Sequence, residues 1–253
     1  MLTFHLEGRW TPGSVSCRFV GSSRVDTPAA RDAVERAWER MAGDPSLHLY
    51  DGPMCRLESF TEEARAGASH LLLDLSITSY RIFLGTNLHG PPDLPTEALA
   101  NALGVSPALE SADGFLLFGR RSARVAYYPH RIHPFGGALE PPPDPATPLD
   151  IFAECRRELA EEIGLLPEDV PHIALLGIAE DDRIRHPELI LHARTRLAVE
   201  EIRHRLDTTE HTALHAVPAT PAAALEAAKD ETFTPIGQAA LRLWARNAHH
   251  DAR

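Results

Sequence analysis

The stretch RELAEEIGL, from Arg157 to Leu165, sets three carboxylates, an arginine and a glycine at fixed helical offsets. At about 100° per residue, Glu154, Glu158, Glu161 and Glu162 fall within roughly a quarter turn, while Phe152, Cys155, Leu159 and Ile163 fill the adjoining apolar arc. One face is expected to bury and the other to present acid. Carboxylates at i,i+3 and i,i+4 repel by roughly a few tenths of a kcal/mol per pair, and the run nears the helix C-terminus, where the macrodipole disfavours negative charge. Something cationic should offset this. Magnesium or manganese wants hard oxygen ligands and keeps open positions for water and phosphate oxygens, which clustered carboxylates supply. Arg157 lies beside the acidic arc, where a charge-assisted fork can hold a glutamate in place. Gly164 reads as the left-handed residue that ends the helix, with Pro167 soon after. A solvated acidic face on an ordinary amphipathic helix is the alternative, and it leaves the repulsion without a purpose.

The nine residues resemble the diagnostic half of the Nudix box, R-E-U-x-E-E-x-G-U with U aliphatic, at every specified position. Outside the box, YDGPMCRLES at 50–59, SITSYR at 76–81 running into FLGTN at 83–87, ALGV at 102–105 and LLGIAEDD at 175–182 are similar to the UDP-glucose and UDP-galactose pyrophosphatase branch of that superfamily. The general box also asks for a glycine and a glutamate at positions that here hold Pro143 and Leu149. Gly136 and Gly137, followed by Glu140, instead resemble its G-G-x-x-E opening, with extra residues looping out before the helix. Glu140, Asp144 and Asp150 are the stand-ins for the first glutamate.

This resemblance implies an α/β Nudix fold, a mixed sheet between helices, preceded by an αβ N-terminal region. The implied reaction is hydrolysis of a UDP-sugar to UMP and sugar 1-phosphate, with Mg2+, or Mn2+, held by Glu158, Glu162 and Glu161 and by a backbone carbonyl of Gly136 or Gly137. Glu188 is the candidate for the loop carboxylate that such enzymes use as base or extra ligand, with Asp182 and Glu210 behind it; its other reading is a strand-edge surface charge. Arg56, Tyr80, Arg81, Thr86 and Asn87 are candidates for the uridine, sugar or phosphate, by stacking, charge and amide hydrogen bonds; equally, Tyr80 and Phe83 read as interdomain core and Thr86-Asn87 as a turn. His130 and His133 precede the glycine pair and are weaker candidates. His211 and His215 have metal-like spacing without a third ligand or a clear helix, and His249 and His250 read as tail. An ADP-ribose or ADP-sugar pyrophosphatase is the alternative enzyme. A nucleotide-sugar sensor without turnover is the alternative binder, but binding alone does not require three clustered acids.

The elements that must position these groups are legible in outline. Thr27 and Pro28 form a cap and first-turn pair for a helix reaching about Met41, with Val34, Trp38 and Met41 on one side. LLLDLSI at 71–77 is strand-like, and HGPPDLP at 89–95 is a breaker-rich linker. GFLLFGRRS and ARVAYYPHRIHPF, at 114–135, read as paired strands turning near Ser122. Further strands are expected at His172–Ile178 and Glu188–Arg194, with a closing helix from Pro235 capped by Thr234. The division expected is a substrate-recognition region at 1–105 and a hydrolase domain at 106–253. With 253 residues, 43% of them hydrophobic, the chain can bury a substantial core. No stretch is long and apolar enough for a transmembrane helix, and MLTFHLEGRW is unlike a signal peptide, which reads as cytoplasmic with no membrane partner. Cys17, Cys55 and Cys155 form no pairing motif. A net charge of −11 leaves no basic footprint for nucleic acid, so a diphosphate ligand would need local cations.

Overall fold

Alternating burial along the strand segments sorts them into two sheets, and the helices fall on the faces that this alternation leaves apolar. The structure is a computed structural model describing residues 2–42, 50–65, 68–144 and 146–248. In chain order its elements are β1 (Leu2–Trp10), β2 (Val15–Phe19), α1 (Pro28–Ala42), β3 (Pro53–Arg65), β4 (Ala68–Ser79), α2 (Tyr80–Phe83), β5 (Gly104–Glu110), β6 (Phe115–Arg121), β7 (Ile132–His133) and β8 (Gly137–Ala138). There follow α3 (Ile151–Ile163), β9 (His172–Asp181), β10 (His186–Arg194), α4 (Val199–Arg203), β11 (His211–Pro218), α5 (Pro221–Ala227) and α6 (Pro235–Asn247).

The larger sheet has eight strands among the described residues, in the order β1-β9-β10-β5-β6-β11, with β7 on β6 and β8 on β5. Its β10–β5 pair is parallel and its other pairs are antiparallel, so the sheet is mixed. Leu189 and Leu191 point into a core shared with Cys155, Leu159 and Ile163 of α3, while Ile190 between them joins the core of Leu241, Leu243 and Trp244 of α6. The sheet therefore lies between helices, as the sequence led us to expect. The smaller sheet, β2-β4-β3, follows the strand expected at 71–77 and packs its Leu71, Leu73 and Leu75 into the α3 side of the core.

Several local expectations are refined. Helix α1 starts at Pro28 with the Thr27 hydroxyl accepting from the Ala30 N–H, but its buried stripe is Ala30, Ala33, Val34 and Ala37 rather than Val34, Trp38 and Met41. β1 pairs with β9 from Leu2↔Asp181 to Trp10↔Leu175, so Leu2–Trp10 joins the larger sheet, and residue 105 falls within β5. The second strand expected after Ser122 is reduced to Ile132–His133, because Tyr128 and His130 take left-handed φ values of 51° and 64° that a strand cannot continue through. Helix α6 begins as expected, with Thr234 Oγ1 accepting from the Gly237 N–H at 3.1 Å. The cysteines are free. No helix among the described residues is long and apolar enough to cross a membrane. The histidines read as tail, His249 and His250, lie outside the described residues.

Candidate active site

Helix α3 forms where local chemistry starts and stops it. The Asp150 carboxylate caps it by accepting from the N–H groups of Phe152 at 2.9 Å and Ala153 at 3.3 Å. Gly164 ends it at φ 62°, donating to the Ala160 carbonyl, while Leu165 N–H reaches back to Leu159. Arg157 gathers three of the acids: its Nε meets Glu154 at 3.0 Å, and its two terminal nitrogens meet Glu158 at 2.6 Å and Glu161 at 2.9 Å. Among these, Glu161 is the solvent-facing one.

Glu158 and Glu162 are not presented on an open face, as a simple two-faced helix would have them. They are 8% and 6% exposed, covered by the glycine strand β8 and the residue before it. The Gly136 N–H donates to Glu162 Oε2 at 3.0 Å, so here it is the amide that faces the acid. At Gly137 a Cβ would stand 3.0 Å from both Glu158 carboxylate oxygens, and its absence makes room for them. β8 is held in place by β5, with Val105 opposite Gly137 and Gly104 opposite Ala138.

Glu210, in the turn before β11, and His211, its first residue, complete this corner. Glu162, Glu210 and His211 each offer a ligand atom, all within 4.8 Å of one another. His211 Nε2 is 3.4 Å from Glu162 Oε2, its ring packs edge-on against Phe135 at 5.1 Å, and it lies directly over Gly119. Arg121, at the end of β6 and 9% exposed, stacks its guanidinium 4.7 Å over the Tyr127 ring and makes no ion pair among the described residues. In the sequence Glu210 stands third among the loop-carboxylate candidates, His211 pairs by spacing with His215, and Arg121 is not among the candidates. The only local signal for Arg121 was the Arg120-Arg121 pair ending an apolar strand.

Burial dominates the electrostatics. It pushes the Glu158 carboxyl up to about 7, against the pull of Arg157 and with repulsion from Glu162 and Glu161 adding to it. Glu162 is held well above the usual carboxylate range, by burial first and then by Glu210, although the Gly136 amide and Arg121 favour its charge. Burial and the field of Arg121 depress His211 to about 4, leaving a neutral imidazole at neutral pH.

These shifts set a pH dependence for the metal-free protein. Folded Glu158 keeps a proton that the unfolded chain has released, so its contribution to stability falls as pH rises from about 4.5 to about 7. His186 and His211, both depressed to about 4, bind fewer protons folded than unfolded, so stability is lost as pH falls from about 6.5 towards 4. Glu158→Gln is therefore expected to raise the melting temperature in EDTA at pH 8 by a few degrees, on the order of 1 kcal/mol with Arg157 losing a charged partner, and to give no gain at pH 5. Equal shifts at the two pH values would refute this cause.

Glu188 is set on another face of the sheet but, like Glu162 and His211, feels the positive field of Arg121. β10 is an interior strand, so Glu188 is neither at an edge nor exposed, and alternation with Leu189 directs it to the α6 face of the sheet. Its Oε2 accepts from Ser106 Oγ at 2.5 Å, its Oε1 is 3.4 Å from His186 Nδ1, and burial pushes it up to about 7. Both ring nitrogens of His186 are buried without a hydrogen-bond partner among the described residues.

The remaining candidates are mostly engaged by the protein itself. Arg56 pairs with Glu58 at 2.9 Å and donates to the Leu99 carbonyl at 2.7 Å. The Thr86 hydroxyl donates to Ile82 O, and the Asn87 amide ties the Ile184 and Arg185 carbonyls to this segment. Arg81 pairs with Glu35 and stacks on Trp38. Tyr80, half-buried, packs with Met54, Phe83 and Tyr127 where the N-terminal segment meets the larger sheet. His133 bonds Thr234 Oγ1 at 2.7 Å, and His215 packs on Phe233, so the His211/His215 spacing does not converge on one ion. Asp144 closes a turn onto the Ala146 N–H, Glu140 is exposed, and Asp182 is half-exposed.

No family model matches the chain. It is 35% identical over 185 residues to the human protein called uridine diphosphate glucose pyrophosphatase NUDT22, covering 63% of this chain and 60% of that protein. The mouse protein of the same name is 33% identical over 181 residues, covering 62% and 58%. Nudix hydrolase 9 of Arabidopsis thaliana is 29% identical over 150 residues, covering 52% and 47%. The chain thus spans about 60% of the mammalian relatives' length or slightly less. Among solved structures it is similar to the NUDIX domain of Shewanella oneidensis NrtR complexed with ADP ribose, at 15% identity and a TM-score of 0.42, covering 62% of this chain and 94% of that one.

Proposed function

We propose that this chain is a Nudix pyrophosphatase that hydrolyses a UDP-sugar, UDP-glucose or UDP-galactose, to UMP and sugar 1-phosphate with a divalent cation. The observation carrying this reading is the pair of buried carboxylates, Glu158 and Glu162, held under a glycine strand beside Glu210. Burying several acids together is costly unless they are protonated or face a cation. The choice of a UDP-sugar rests on the mammalian relatives' name and on the segments around 50–59 and 76–87.

The donor set fits a hard or borderline divalent cation: Glu162 and Glu210 would hold it, with Glu158 beside Glu162 as a further carboxylate. Once bound, such a cation neutralises diphosphate charge and lowers the pKa of a coordinated water. Arg157 fixes the rotamer of Glu158 by its 2.6 Å contact to Oε1, and that carboxylate lies against Gly137. The Gly136 N–H orients Glu162, and the positive field of Arg121 favours its charge. Glu210, the exposed member, takes the role of loop carboxylate that the sequence had suggested for Glu188.

The test is cleavage of UDP-glucose, UDP-galactose and ADP-ribose, read as phosphate released by a coupled phosphomonoesterase. A UDP-sugar is expected to show at least tenfold higher kcat/KM than ADP-ribose, an energy difference of about 1.4 kcal/mol, and Tyr80→Ala is expected to erode that ratio. Loss of core packing alone would lower the melting temperature and all substrates together. Preference for ADP-ribose would overturn the UDP-sugar reading.

A further inference from the structure

The corner where Glu162 meets β11 differs from an all-carboxylate cluster. Its third member is an imidazole, 2% exposed, with Nε2 directed at Glu162 Oε2 from 3.4 Å. No group among the described residues bonds the other ring nitrogen, Nδ1. Without a cation the facing carboxylate favours a proton on Nε2; a bound cation would displace it and take the Nε2 lone pair, which lies on the side of the two carboxylates. The ring's position is built in. Gly119 lies beneath it with no side chain, because a Cβ there would overlap the imidazole, and Phe135 closes its edge.

We infer that His211 is a ligand to the cation held by Glu162 and Glu210, and that this nitrogen makes the site select a borderline transition metal such as Mn2+ or Co2+ over Mg2+ or Ca2+. The inference rests on the metal-dependent reading above and adds to it the identity of one ligand and the class of ion. Imidazole nitrogen suits transition metals, whose affinities rise through the first-row series, whereas Mg2+ and Ca2+ prefer oxygen throughout. Two carboxylates and one imidazole suit an ion that accepts both. The competing arrangement is a buried ion pair of His211 with Glu162, in which no nitrogen reaches the metal.

The experiment uses the full chain, with metal alone as probe. Pulsed electron paramagnetic resonance of one bound Mn2+ is expected to show modulation from a directly coordinated 14N nucleus, and His211→Gln is expected to abolish it. Calorimetry should show His211→Gln weakening Co2+ by tenfold or more and Mg2+ by less than twofold. His211→Asp, which restores an oxygen and is smaller than the ring it replaces, should move selectivity back towards Mg2+. If His211→Gln fails to fold, His211→Asp and the wild-type spectrum carry the test. Mn2+ bound without nitrogen modulation, or Co2+ and Mg2+ weakened in parallel, would overturn the inference and leave the metal-dependent reading standing. Absence of Mn2+ binding in the wild type would overturn both.

Discussion

Glu162→Gln is expected to lower kcat for UDP-sugar hydrolysis by two to four orders of magnitude, on the order of 3–5 kcal/mol in the barrier, while the folded state survives. The substitution keeps the shape and one acceptor for the Gly136 N–H, so its main effect is to remove the ligand charge. That charge matters most when charge builds on the diphosphate, so the loss should fall on kcat more than on KM. The carboxyl is held well above its ordinary pKa without metal, so a neutral amide should cost the metal-free protein little stability at pH 8. Steady-state kinetics with a melting curve at that pH checks both halves. Turnover within tenfold of wild type would remove Glu162 from the metal site.

The second large effect is structural. Gly136→Ala is expected to destabilise the protein by about 3 kcal/mol or more, roughly 6–12 °C in melting temperature, whereas Gly137→Ala should cost far less stability but most of the activity. Gly136 has a φ of 152°, which L side chains rarely adopt, and a Cβ there would overlap the Val105 carbonyl oxygen. That oxygen cannot retreat easily, because Val105 sits between β8 and β10, opposite Gly137 on one side and Leu189 on the other. At Gly137 the obstacle is instead the flexible end of Glu158, which can turn aside and so leave the metal corner. Thermal melts of the two variants, alongside turnover, separate these outcomes. A Gly136→Ala protein that melts with the wild type would mean that the backbone here relaxes freely.

Features set by neighbours within a turn or two are legible in the residues alone. The start and stop of α3, the left-handed Gly164, the pairing of Arg157 with Glu154 and Glu161, and the Thr234 cap of α6 follow from spacing at two to four residues. A helix carries that spacing into space unchanged. The alternation in LTFHLE could also have announced β1, but a short alternating run does not say which strand it joins.

Tertiary structure decided which acids are buried and what faces them. The glycines covering Glu158 and Glu162 lie before a loop whose length no periodicity constrains, and Glu210 and His211 come from a strand beyond two further strands and a helix. The same long-range pairing set Glu188 on the face away from Leu189, engaged Arg56 and Asn87 with the carbonyls of Leu99 and Ile184, and set the Thr86 hydroxyl to accept from the Ala100 N–H. In each case a side chain's role depends on the partner that packing brings to it. Packing is set by burial of the whole apolar pattern rather than by the residue and its neighbours.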